Sequence, residues 1–233
     1  MPRIFFLIFL LFPLACSQSS EAFLQKGRQL MQEGKTQEAI EFINKAIEKN
    51  TSNADAFNLR GVAYYELKEF PNALLDFAQA IRLQPNSYRP YFNRALLYKD
   101  QNNLDSAFID YNKSASLAPD TADIYLNRGQ LLVLMDKIPD AITDFEKATK
   151  LNRDNKQAWY NLGNTYYRSK DFKKAALAFR QTIKLDGQYG KAFYGLGLAQ
   201  LNDGEKDLAC TNLKQALNLG YQDAATALAQ SCQ

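Results

Sequence analysis

One spacing governs this chain. Gly27, Gly61, Gly129, Gly163 and Gly197 lie on a single 34-residue grid, and Ala95 fills the vacant place. Twelve residues later runs a second grid: Ala39, Ala73, Ala107, Ala141, Ala175 and Ala209. Four residues before each small residue of the first grid stands an aromatic: Phe23, Phe57, Tyr91, Tyr125, Trp159 or Phe193. Four residues after each alanine stands a large side chain: Ile43, Phe77, Tyr111, Phe145, Phe179 or Leu213. Six copies without insertion run from about residue 20 to 223. A strict period of this length means that one small structural unit is stacked on itself.

The unit is readable from its offsets. Spacings of three and four residues put side chains on one face of a helix. Phe57, Gly61 and Tyr64 form the stripe of a first helix, and Ala73, Phe77 and Ala80 that of a second. Large residues on one helix face small ones on the other, so the two backbones can approach. Short breakers separate them: Gly34, Lys68-Glu69, Asn102-Asn103, Asp136-Lys137, Lys170-Asp171 and Asp203-Gly204. Pro71 and Pro139 fall at the start of a second helix, where a missing N–H is tolerated. Pro85 and Pro119 fall after its end. One such pair cannot bury its stripe alone, whereas stacked neighbours produce a continuous core.

The pattern resembles the tetratricopeptide repeat (TPR) family. The fifth copy carries the resemblance best, with Trp159, Leu162, Gly163, Tyr166, Ala175 and Phe179. The second follows, with Phe57, Gly61, Tyr64, Ala73, Phe77, Ala80 and Pro85. The resemblance implies an all-α chain. It would be a right-handed α-solenoid of six 34-residue helix pairs, at about 20–53, 54–87, 88–121, 122–155, 156–189 and 190–223. A capping helix over 222–231 would close it, since its alanines favour helix and Gly220 can end the helix before it. If that cap folds back antiparallel, Cys210 and Cys232 come together; exported TPR proteins that this tail resembles often carry such a disulfide. Two buried free thiols are the alternative.

The N-terminus reads as an address. Arg3 precedes the apolar run Ile4–Phe12, then come Pro13, Leu14, Ala15 and Cys16, and the chain turns polar at Ser17. A basic residue, a short apolar stretch and small residues describe an export signal, and the run is short for a membrane span. Leu14-Ala15-Cys16 resembles a bacterial lipoprotein signal, which implies a signal peptide over 1–15, lipid on Cys16 and a tether over 16–20. Pro13 departs from that pattern. A plain cleaved signal, giving a periplasmic or secreted protein, and an uncleaved anchor are the other readings. The expected location is the bacterial cell envelope, with lipid holding the chain to a membrane.

The family also implies that first helices line a concave groove. The inward-facing positions comprise Asn58 and Tyr65 in the second copy and Arg89, Phe92 and Lys99 in the third. The fourth supplies Leu126 and Gln130. Tyr160, Asn164, Tyr167 and Arg168 come from the fifth, Lys191 and Tyr194 from the sixth. Aromatic anchors among a few polar groups suit a protein or peptide partner. Asn93, Asn127 and Asn161 recur at one position, where some TPR proteins clamp a carboxylate. The lysine such a clamp needs is missing from the matching positions, so local structural hydrogen bonds are expected of them. Arg60, Arg94 and Arg128 also recur, and are expected to lie over neighbouring helices or to pair with acids between repeats.

Composition narrows the function. The chain has no histidine and three cysteines. Ser-His-Asp and Cys-His catalysis and His-ligated metals are therefore excluded, as is a four-cysteine zinc site. A formal charge of +3 is too balanced for a nucleic-acid surface. No phosphate-cradling glycine loop occurs. The expectation is a non-catalytic interaction scaffold with no cofactor, no metal and no small-molecule substrate. The second reading is a structural or regulatory subunit of an envelope enzyme or transporter.

Overall fold

Among the described residues, six helical hairpins close through the same turn. The backbone enters the left-handed region at Gly34, Lys68, Asn102, Asp136, Lys170 and Gly204, again one period apart. Around Lys170, its N–H bonds the Tyr167 carbonyl at 3.0 Å and the Asp171 N–H bonds the Tyr166 carbonyl at 2.9 Å. This is the Schellman arrangement, which satisfies the last carbonyls of the first helix and reverses the chain within three residues. A side chain then starts the next helix. Asp171 accepts from the Lys174 N–H at 3.2 Å, and Asn155 does the same one helix earlier for Ala158 at 3.1 Å.

A computed structural model describes residues 19–232. Among the described residues there are thirteen helices and no strand. They are α1 (Ser20–Gln32), α2 (Thr36–Lys49), α3 (Ala54–Glu66), α4 (Phe70–Leu83), α5 (Tyr88–Asp100), α6 (Leu104–Leu117), α7 (Ala122–Leu134), α8 (Ile138–Leu151), α9 (Lys156–Arg168), α10 (Phe172–Leu185), α11 (Gly190–Asn202), α12 (Lys206–Asn218) and α13 (Asp223–Ser231). Odd and even members through α12 are the first and second helices of six pairs. The proposed signal, Cys16 and most of the tether lie outside the described residues. No described helix is long and apolar enough to cross a membrane.

The chain divides into two compact units, with the boundary between Leu83 and Gln84. The first unit holds α1–α4, and in it α2 packs on α3 and α1 touches α3. The second holds α5–α13. Each second helix there packs on the first helix of the next pair, and the first helices touch in the series α5, α7, α9, α11. Successive second helices make no such contact. First helices therefore line the tighter, inner side of the unit and second helices its outer side.

Packing explains the two grids. A Cβ built on Gly61 would stand 2.6 Å from the Phe77 ring, and one on Gly163 would stand 2.8 Å from Phe179. Each ring is seated against bare backbone, at a separation no side chain could share. The rings are wholly covered, which for a phenylalanine contributes roughly 1.5–3 kcal/mol.

The last helix covers the end of the second unit. Ala224 and Ala227 of α13 join Leu213 and Ala216 of α12 in one apolar cluster, with Leu228 and Cys232 at its edge. Cys210 and Cys232 are bonded, with Cα atoms 5.7 Å apart and a sequence separation of 22. A loop of that size is worth about 3 kcal/mol on the chain-entropy view, through restriction of the unfolded chain, and the bond ties the end of α13 to α12.

Candidate functional site

The inner side of the second unit ends in a patch of tyrosines. Tyr160 on α9 lies 5.2 Å from Tyr189 and 6.0 Å from Phe179 between ring centres. Tyr194 on α11 lies 4.9 Å from Tyr221. Tyr167 packs on Phe172 at 5.4 Å, and its hydroxyl accepts from the Asn202 amide at 3.2 Å. Burial pushes the phenols of Tyr189 and Tyr194 above their ordinary values, and carries Tyr221 to about 12. The rings are half-buried. Such rings offer large contact area at low entropic cost, with a hydroxyl for a backbone partner. Lys191 stands exposed on the same helix as Tyr194.

Tyr189 and Tyr221 escape a reading of helix faces, because each lies in the turn before a helix. The sequence signal for Tyr221 was its replacement of the proline that follows earlier pairs. Position alone also misplaces Leu126, which is only 9% exposed and belongs to the core.

The other inward candidates are spread along the unit. Phe92 meets Tyr111 edge-on at 5.9 Å, and the Arg89 guanidinium lies over Tyr88 at 5.7 Å. Tyr88, Arg89 and Phe92, with Asn93, Thr121, Asp123 and Ile124, border a small cleft of about 230 Å³. Burial lowers the pKa of Lys99. Gln130 and Asn164 are half-buried, and Arg168 reaches Asp136 at 3.1 Å. In the first unit Asn58 and Tyr65 are half-buried, and the Tyr65 ring lies 6.1 Å from Phe70. Two of the recurrent asparagines bond locally. Asn127 donates to the Asp123 carbonyl at 2.9 Å, and Asn161 accepts from Gln157 at 2.9 Å.

The arginine row resolves into structural pairs. Arg60, Arg94 and Arg128 each grip the aspartate sixteen residues on, in the second helix of their own pair. Arg128 holds Asp144 through two bonds of 2.7 Å, and Arg60 holds Asp76 at 2.7 and 2.8 Å. The third arm reaches sixteen residues back, to Asn112 at 2.9 Å from Arg128 and to Asn44 at 2.7 Å from Arg60. The guanidinium of Arg128 also lies over Tyr125 at 5.4 Å. The carboxylates are almost wholly buried, and their bonds raise the pKa of each arginine. The acids thus lie within each repeat, and at Arg60 and Arg128 an asparagine amide supplies the link between repeats, where the sequence suggested acids between repeats; sixteen residues before Arg94 stands Ala78. Among the described residues no group of three or more potential metal ligands gathers.

Comparison with known proteins agrees with this architecture. Among solved structures, the chain superposes on PilF of Pseudomonas aeruginosa with a TM-score of 0.78 at 21% identity, covering 89% of this chain and 97% of that one. It superposes on YrrB, described as a TPR protein with an unusual peptide-binding site, with a TM-score of 0.72 at 20% identity, covering 79% and 96%. At these identities the likeness is one of fold. Two curated relatives match short stretches. One is the UDP-N-acetylglucosamine–peptide N-acetylglucosaminyltransferase of Giardia intestinalis, 34% identical over 73 residues, or 31% of this chain. The other is the rhomboid protease GluP of Bacillus subtilis, 28% identical over 80 residues, or 34% of this chain. The chain spans only 5% and 16% of their lengths. Tetratricopeptide-repeat models match residues 24–88, 88–121, 126–190 and 164–218. Repeats of this kind generally act as protein–protein interaction scaffolds, and with most of its length matched the chain belongs to the tetratricopeptide-repeat family.

Proposed function

We propose that the protein is a non-catalytic scaffold of the bacterial cell envelope, and that the inner face of its second unit binds a segment of a partner protein. The tyrosine patch carries this reading. Tyr160, Tyr189, Tyr194 and Tyr221 gather at one end of that face, half-buried and pre-ordered by one another. Ordered aromatic surface is what partner recognition uses most. The peptide-binding site ascribed to YrrB, on a similar fold, supports the same use of repeats. The apolar run and Cys16 support export and anchoring by lipid, for which more than one acyl chain gives stable attachment.

The test pairs Tyr160→Ala with Tyr194→Ala. A photo-crosslinker at Lys191, in cells, should give a discrete adduct in the parent protein. The double variant should lose it while circular dichroism shows helix content retained. An adduct of unchanged yield would move the interface elsewhere. Both curated relatives are enzymes that carry their matching stretch inside a longer chain. This supports a second reading, as a structural or regulatory subunit of an envelope enzyme or transporter. A fixed one-to-one adduct with an enzyme would select it.

A further inference from the structure

On the outer side of the second unit, one crevice is built unlike its neighbour. Between α6 and α8 the crevice is filled by Arg128, bonded to Asp144 and Asn112. One period later the corresponding residues are Leu162, Ala178 and Glu146. Guanidinium, carboxylate and amide have been replaced together. Between α8 and α10 there is consequently an open cleft of about 700 Å³, within the size range of binding sites, roughly 300–1,000 Å³.

The cleft has an apolar floor and a cationic rim. Leu162, Tyr166 and Ala178 form the floor and are all buried. The Trp159 indole forms a wall, held by its N–H to the Arg153 carbonyl at 2.8 Å. The Tyr166 hydroxyl donates to the Glu146 carboxylate. The polar edges of both rings are thus engaged, and what they offer the cleft is carbon. Leu177 stands at the lip, 63% exposed. Lys150, Arg153 and Lys174 stand on the rim. Lys174 pairs with Asp171 at 3.1 Å and lies over the Tyr166 ring at 5.3 Å. Lys150 and Arg153 are exposed and form no ion pair among the described residues. The single carboxylate of the lining, Glu146, accepts the Tyr166 hydroxyl and keeps its charge, against the three cations Lys150, Arg153 and Lys174.

We infer that this outer cleft is a second binding site, which takes a bulky apolar side chain from an acidic segment of a partner protein. The floor receives the side chain, and flanking carboxylates meet Lys150 and Arg153. The cleft opens between α8 and α10 over Trp159, Leu162 and Tyr166 of α9, and it shares no residue with the tyrosine patch of Tyr160, Tyr189, Tyr194 and Tyr221, so each surface can be altered without substituting a residue of the other.

Trp159 is the only tryptophan of the chain, so its fluorescence reports on this cleft. The test uses the full-length chain carrying Cys16→Ser. It is titrated with acetyl-Asp-Glu-Phe-Glu-Asp-amide and, separately, with acetyl-Lys-Arg-Phe-Arg-Lys-amide. The acidic peptide should produce a saturable change, and the basic one none at about tenfold higher concentration. Leu162→Arg with Ala178→Asp rebuilds the pair that the preceding repeat already accommodates. It should fill the cleft and weaken the acidic peptide at least about tenfold. Lys150→Glu with Arg153→Glu alters only exposed side chains and should weaken it similarly, which keeps the test decisive if the first variant misfolds. The inference is overturned by no saturable response to the acidic peptide, by equal responses to both peptides, or by parental affinity in either folded variant. A response to dodecanoate or phosphatidylglycerol vesicles, with none to peptide, also overturns it and assigns the cleft to lipid.

Discussion

The crevice between α6 and α8 and the one between α8 and α10 share a backbone frame and differ in everything that fills it. In the first, a forked ion pair and an amide occupy the space. In the second, leucine and alanine stand in the same places and leave it open. The lesson is that the frame does not depend on the pair. Gly129 against Phe145 and Gly163 against Phe179 set the helix spacing in both repeats. A buried ion pair repays little more than its own desolvation, so an apolar pair in its place need not weaken the fold.

The largest effect should come from breaking the pair on one side only. Asp144→Ala leaves Arg128 without its main partner, and should lower stability in denaturant unfolding by about 2 kcal/mol. That figure is reduced from the buried-pair range because the guanidinium keeps partial access to water. Arg128→Leu with Asp144→Ala copies the next repeat and should cost less, within about 1 kcal/mol of the parent. A double variant weaker than the single would refute the equivalence of the two frames.

A smaller effect is expected at Glu146, which stands where the other crevice has Asn112. Glu146→Gln replaces a charge-assisted bond to Tyr166 by a neutral one, at a cost of about 1 kcal/mol. Burial first, and the Glu146 carboxylate second, raise the pKa of the Tyr166 phenol. The folded state therefore favours the neutral phenol. That stabilisation is complete below the ordinary tyrosine value, near 10.0, and is lost as pH climbs through the folded one. In the variant the last tyrosinate absorbance step should move to lower pH. A step that stays in place would mean that burial alone sets it.

The smallest effect concerns the turns that close the two hairpins. Lys170 and Asp136 both adopt left-handed backbone, at φ 65° and 57°. Lysine bears that strain poorly and aspartate tolerates it. Lys170→Gly should stabilise by about 0.5 kcal/mol once the greater freedom of unfolded glycine is counted. Asp136→Gly should gain less, and also gives up the contact of Asp136 with Arg168. Equal gains would show that residue type does not matter at this position.

Hairpins, turns and core were legible in the sequence because each grid residue touches another grid residue within the same repeat. Phe77 seats on Gly61, and Phe179 on Gly163. Three things were not legible. The arginines stood out as a row, yet their partners lie sixteen residues away across a turn, where no helical offset leads. Tyr189 and Tyr221 sit in turns and escape any reading of helix faces. The division between Leu83 and Gln84 has no marker of its own. Pro85 lies there, but Pro119 holds the same place within the second unit, and a proline ends a helix without deciding how the next hairpin packs.

The sixteen-residue steps on either side of Arg128 have a consequence for how such a chain can change. Its crevice takes Asn112 from one repeat and Arg128 and Asp144 from the next; the following cleft takes Glu146 from the latter and Leu162 and Ala178 from its successor. No repeat contains a whole crevice. Duplicating, deleting or exchanging one 34-residue module keeps every hairpin intact but joins new halves at each seam. The array can therefore acquire new outer-surface chemistry by recombination alone, without a single point mutation in its core.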